Sequence, residues 1–140
     1  MEVIYLAAIK KENDGYFVYI PDLDGCTEGN SFTDAVKMAR DYISLYCMEK
    51  EDQGEEIPPR SSDEKARRDA LDNPYDINLE GCVFTYVDAD ITAYRKMLSN
   101  KAMHKNVTIP MWLNDRAERE GVNFSRVLQE ALIKIVGERH

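Results

Sequence analysis

NVTIPMWLNDRAEREGVNFSRVLQEALIKIV, residues 106–136, carries the clearest pattern in the chain. Asn106-Val107-Thr108-Ile109 alternates polar and apolar, as a half-buried strand does. Pro110 suits the first turn of a helix, where its missing N–H costs nothing. Leu113 and Ala117 mark the buried face of that helix, and Gly121 ends it. Asn123 is a good N-cap for a second helix. Its apolar positions are Phe124, Val127, Leu128, Ala131, Leu132, Ile135 and Val136, the spacing of an amphipathic helix.

A strand and two helices in about 35 residues bury too little surface to fold alone. A lone strand also leaves its N–H and C=O groups unpaired along both edges. Two chains solve both problems. Their strands pair as an antiparallel ribbon over interlocked helices, and such a ribbon fits the major groove of DNA. This segment resembles the ribbon-helix-helix repressors. The resemblance rests on Asn106 to Pro110, Trp112-Leu113, Gly121 to Leu128 and Ala131-Leu132.

It implies a dimer core of Val107, Ile109, Leu113, Phe124, Leu128 and Leu132. His104, Asn106 and Thr108 then face the groove, where Asn can bond an adenine edge and Thr a thymine methyl. Lys105 is expected to reach a phosphate. Asn123, Phe124, Ser125 and Arg126 stand at the start of the second helix, whose free N–H groups suit another phosphate. The alternative for the strand residues is a plain solvated face.

Working outward, Ser99-Asn100-Lys101 reads as a linker, which divides the chain into residues 1–98 and 99–140. Charge follows the same division. Residues 1–98 hold 11 Lys and Arg against 21 Asp and Glu, a net of −10; residues 99–140 hold 7 against 5, a net of +2. An acidic body is repelled by nucleic acid and drawn to a basic partner. Simple solubility explains the acidity equally well.

The acidic half begins with an apolar run, Ile4–Ile9, and a turn signal at Asn13-Asp14-Gly15, whose residues tolerate positive φ. Tyr16–Ile20 is a second strand, stopped by Pro21. Pro21–Cys26 is a turn in which Gly25 supplies the freedom, and Cys26–Glu28 is a short third strand. Ser31 or Thr33 caps a helix of about four turns. Its stripe of Ala35, Ala39, Tyr42 and Tyr46 is widened by Met38, Ile43 and Leu45. Pro58-Pro59 ends regular structure. Residues 61–75 match no pattern and read as an insertion holding a mobile helical turn at Asp63–Leu71. Cys82–Val87 is a further strand, and Asp90 caps a short helix through Tyr94 and Leu98. The fold class expected is α+β: a βββαβ body followed by a β-α-α tail.

This half resembles the antitoxins of HicA/HicB toxin–antitoxin systems. The matching residues are Gly15-Tyr16-Phe17-Val18 leading into Pro21-Asp22-Leu23-Asp24-Gly25-Cys26, then Glu28-Gly29, Thr33-Asp34-Ala35 and Gly54-Glu55-Glu56-Ile57-Pro58-Pro59. Members of that family commonly carry a ribbon-helix-helix tail. The resemblance implies a partly degraded RNase H-like body and a small basic HicA-type toxin that cleaves mRNA. It places Asp22, Leu23, Asp24 and Glu28 among the toxin contacts. The protein is then an antitoxin that neutralises this toxin and, as a homodimer or a pair of dimers, binds operator DNA to repress its own operon.

Two other readings remain: a stand-alone regulator whose body senses a ligand, and a metal-dependent nuclease. Nuclease chemistry of the RNase H type needs three or four convergent carboxylates around two Mg²⁺ ions. The turn supplies only Asp22 and Asp24, and the run Ile4–Ile9 contains no acid. Serine-hydrolase, zincin, Walker and Rossmann motifs do not occur. No catalysis, cofactor or metal is expected. Cys26, Cys47 and Cys82 lack CxxC spacing and read as reduced thiols. The tyrosines read as core rather than base-stacking residues. No apolar run approaches the roughly 18 residues of a membrane span. Residues 1–15 carry Glu2 and no basic stretch before their apolar run, so a cytoplasmic protein without a signal peptide is expected.

Overall fold

The computed structural model describes residues 1–137 and falls into two compact units, Met1–Lys101 and a second from Ala102. In the first unit, β1 (Glu2–Glu12), β2 (Gly15–Ile20) and β3 (Gly25–Gly29) precede the long helix α1 (Phe32–Asp52). The shorter helix α2 (Asp63–Leu71), the strand β4 (Val83–Asp90) and the helix α3 (Ile91–Asn100) follow. The four strands form one antiparallel sheet in the order β3-β2-β1-β4.

Both faces of the sheet are covered, which is why β1 is apolar without interruption from Tyr5 to Ile9. Tyr5, Ala7 and Ile9 share one face with Val18, Ile20, Val87 and Ala89. Helix α1 packs there through Ala35, Ala39, Ile43 and Cys47. The buried line thus steps four residues at a time through small and aliphatic side chains. Tyr42 and Tyr46 are only half-buried and stack at the margin, so they border the stripe instead of forming its centre. Met38 and Leu45 are exposed. Of the two hydroxyls able to cap α1, Ser31 does so, accepting from Asp34 N at 3.0 Å. The Asp34 carboxylate accepts in return from Asn30 N. Asp90 caps α3, accepting from Ala93 N.

Residues 61–75 are packed into the fold, with a helix over the expected Asp63–Leu71. Helix α2 covers the second face of the sheet, where Ala70 joins Ala8, Tyr19 and Leu79 in a separate core. Ala66, one turn earlier, is also buried. Ser62 caps this helix, accepting from Lys65 N. The Arg67 guanidinium lies 4.7 Å from the Phe84 ring, and Tyr86 donates to the Asp63 carboxylate at 2.6 Å. Asn73 is buried and closes the following loop: its amide donates to Ala70 O and Ile77 O and accepts from Tyr75 N and Ile77 N.

Two turns differ from expectation. Neither Asn13 nor Asp14 has positive φ, and Gly15 is required by space: a Cβ there would lie 2.7 Å from Gly29 O. In the second turn Asp24 takes the left-handed conformation, at φ 47°. Gly25 instead admits the Tyr42 hydroxyl, which would stand 2.0 Å from an added Cβ.

The second unit contains α4 (Met111–Arg119) and α5 (Phe124–Val136), with Pro110 at the N-cap of α4 and Gly121 at φ 68° between the helices. Asn123 caps α5, accepting from Arg126 N at 3.1 Å. The expected strand at 106–109 does not form in the single chain: residues 101–110 carry no regular structure. A strand exists only when another backbone pairs with it. No helix among the described residues is long and apolar enough to cross a membrane.

Candidate macromolecule-binding surfaces

The Pro21–Cys26 turn makes a short 3-10 helix, Pro21–Leu23, before β3. Asp22 points back into the unit. Its carboxylate accepts from Ser61 N at 2.8 Å and from Ser61 Oγ at 2.5 Å, tying the turn to the start of α2. Leu23 is buried. Asp24 accepts from the Tyr19 hydroxyl at 2.8 Å. Burial, and then that bond to Asp24, push the Tyr19 phenol well above its ordinary value. Three of the four residues expected to meet a toxin therefore hold the turn in place. Glu28, on β3, is exposed.

Two further carboxylates that nuclease chemistry could draw on stand apart from each other. Glu28 is on β3 and Asp88 on β4, the two opposite edges of the sheet. Asp88 pairs with Arg40 at 3.2 Å. Among the described residues no three His, Cys, Asp or Glu side chains converge on a point where an ion could be held.

The β3 edge carries residues that sequence patterning did not single out. Phe17 and Met38 line recesses there together with Cys26, Thr27 and Glu28. Phe17 belongs to an aromatic strand, and Met38 lies beside the helix stripe. Alternation alone reads both as core.

In the second unit, all candidate DNA contacts are exposed in the single chain: His104, Lys105, Asn106, Thr108, Asn123, Phe124, Ser125 and Arg126. Arg126 forms an i,i+4 pair with Glu130 at 3.0 Å, an exposed contact worth little to stability. The Phe124 and Ser125 amides fall in the first turn of α5, where N–H groups lack intrahelical acceptors. The candidate dimer core is equally open. Val107 is 66% exposed, and Ile109, Leu113, Phe124, Leu128 and Leu132 are 37–48% exposed.

A sheet covered on both faces and a separate helical unit make this an α+β protein, and comparison with known proteins places it in the toxin–antitoxin class. Residues 5–131 match the family described as HicB_like antitoxin of bacterial toxin-antitoxin system. This chain belongs to that family. An uncharacterized 14.9 kDa protein in the rep-hol intergenic region of Haemophilus phage HP1 (strain HP1c1) is 30% identical over 118 residues, 84% of this chain and 80% of that protein. The fold matches one chain of a toxin-antitoxin complex from Streptococcus pneumoniae, with a TM-score of 0.58 at 23% identity over 96% of this chain and 99% of that one. It also matches the antitoxin HicB of Burkholderia pseudomallei, with a TM-score of 0.51 at 22% identity over 96% and 99%.

Proposed function

We propose that the first unit binds and neutralises a small HicA-type ribonuclease toxin, and that the second dimerises and binds operator DNA to repress the toxin–antitoxin operon. Family membership supports the first half, together with the net charge of −10 on residues 1–98, which suits a basic, RNA-binding toxin. One observation carries the second half. Among its described residues the second unit buries none, yet α5 alone presents seven apolar positions at helical spacing. An apolar face of that size is covered in a stable protein. A second copy covers it and also supplies the backbone that residues 105–109 lack.

In this reading Val107 and Ile109 face the shared core, and His104, Asn106 and Thr108 face the groove. Co-expression with the toxin tests the first half: cells survive when the chain is present and arrest when it is not. Light scattering and operator titration of the purified chain test the second. A monomer at micromolar concentration that ignores operator DNA rejects it.

A further inference from the structure

The sheet has two outer edges, and they are built differently. Along β4 the backbone carbonyl of Asp88 accepts from Arg40 Nε at 2.9 Å, and the same guanidinium holds the Asp88 carboxylate. A side chain from α1 thus occupies backbone that another strand would need. Charged side chains on an edge are a common protection against pairing. Among the described residues no side-chain hydrogen bond of that kind guards Gly25–Gly29.

The β3 edge instead opens into a recess. Cys26 and Glu28 stand opposite Tyr19 and Phe17, so they share the face covered by α2. Thr27 stands opposite Val18, on the face covered by α1. A cavity of about 440 Å³ is lined from both faces at once: Phe17, Cys26 and Glu28 on one, Thr27 and Met38 on the other. A space bounded by both faces of an edge strand lies along its free backbone. It adjoins a second recess of about 690 Å³ that shares Phe17, Glu28 and Met38. Glu12 and Asp14 rim that one. None of Glu12, Asp14 and Glu28 enters an ion pair among the described residues.

We propose that an extended segment of the basic toxin adds a fifth strand at β3. Main-chain hydrogen bonds to Gly25–Gly29 seat it, successive apolar side chains rest against Phe17 on one face and Met38 on the other, and Lys or Arg side chains meet Glu28, Glu12 and Asp14. Backbone pairing supplies affinity in this mode, and alternate side chains supply selectivity. The unpaired carboxylates fix the sign of the occupant. This inference rests on the antitoxin reading.

Cys26 makes the edge testable. It is exposed, whereas Cys47 is buried and Cys82 half-buried. The probe is the toxin of the same operon with its catalytic residue replaced, mixed with the full chain carrying Cys82→Ser. Alkylation of Cys26 by N-ethylmaleimide should slow at least tenfold in the complex, with slower amide exchange across residues 25–29. Glu28→Lys with Met38→Asp should weaken toxin binding at least tenfold at an unchanged melting temperature. Glu64→Lys, an exposed charge on α2, should leave binding as it was. A complex in which Cys26 reacts at its free rate overturns the proposal and leaves the antitoxin reading standing. Protection that appears without toxin, as chain concentration rises, makes the occupant a second copy and overturns it too. A wild-type chain that never binds the toxin overturns both readings.

Discussion

Replacing Asp22 with Ala separates a docking residue from a structural one. The carboxylate accepts two hydrogen bonds from Ser61, one from the amide and one from the hydroxyl. A hydrogen bond to a charged group contributes about 1.5–3 kcal/mol net. The site is half-exposed, so water recovers part of this, and a loss of about 2–4 kcal/mol is expected for Asp22→Ala. For a unit of this size each kcal/mol moves the melting temperature by about 4–8 °C, so the transition should fall by about 8–30 °C. Ser61→Ala removes the hydroxyl and keeps the amide, so it should cost about 1 kcal/mol. The double variant should cost less than the two losses added, because both remove the same contact. Thermal unfolding followed by circular dichroism measures all three. If Asp22→Ala melts within about 2 °C of wild type while toxin binding disappears, the carboxylate belongs to the interface and the structural assignment is wrong.

Other outcomes follow from the same geometry. Leu128→Asp should dissociate the dimer proposed for the second unit at concentrations where wild type is paired, read by light scattering, and leave the melting of the first unit unchanged. Asn106→Ala should weaken operator binding by roughly ten- to a hundredfold, the worth of one bidentate base contact, and leave non-specific binding nearly untouched. Titrations on operator and scrambled DNA at several salt concentrations would show it. The Tyr86 hydroxyl bond, then the Arg67 guanidinium, hold the Asp63 carboxyl below its ordinary value. A lowered carboxyl contributes stability that is present above its unfolded value and lost as pH falls through the folded one. Wild type should therefore lose more stability than Asp63→Asn between about pH 5 and pH 3, and equal slopes in acid melts would reject the Asp63–Tyr86 contact.

Local chemistry in the sequence determined the hairpin, the long helix, α3 and the two tail helices. Their signals are short-range: the Asn13-Asp14-Gly15 turn, the caps at Ser31, Asp90 and Asn123, and apolar spacing along α1 and α5. Helix α2 was legible at Asp63–Leu71 only as a mobile helical turn, because its buried side is only Ala66 and Ala70 among charged neighbours. Two methyl groups give almost no amphipathic signal, and only the packed sheet shows Ala70 against Ala8. The motif at Pro21–Cys26 was legible as a motif, but its role was not. Asp22 finds its partner 39 residues away, and Gly25 yields its space to a tyrosine on α1. Periodicity marked Val107 and Ile109 as one face of a strand, and one chain does not pair it. Period and capping belong to neighbours in sequence. Which carboxylates turn inward, which sheet edge stays open and which apolar face waits for a partner depend on contacts between distant residues, so tertiary structure alone decides them.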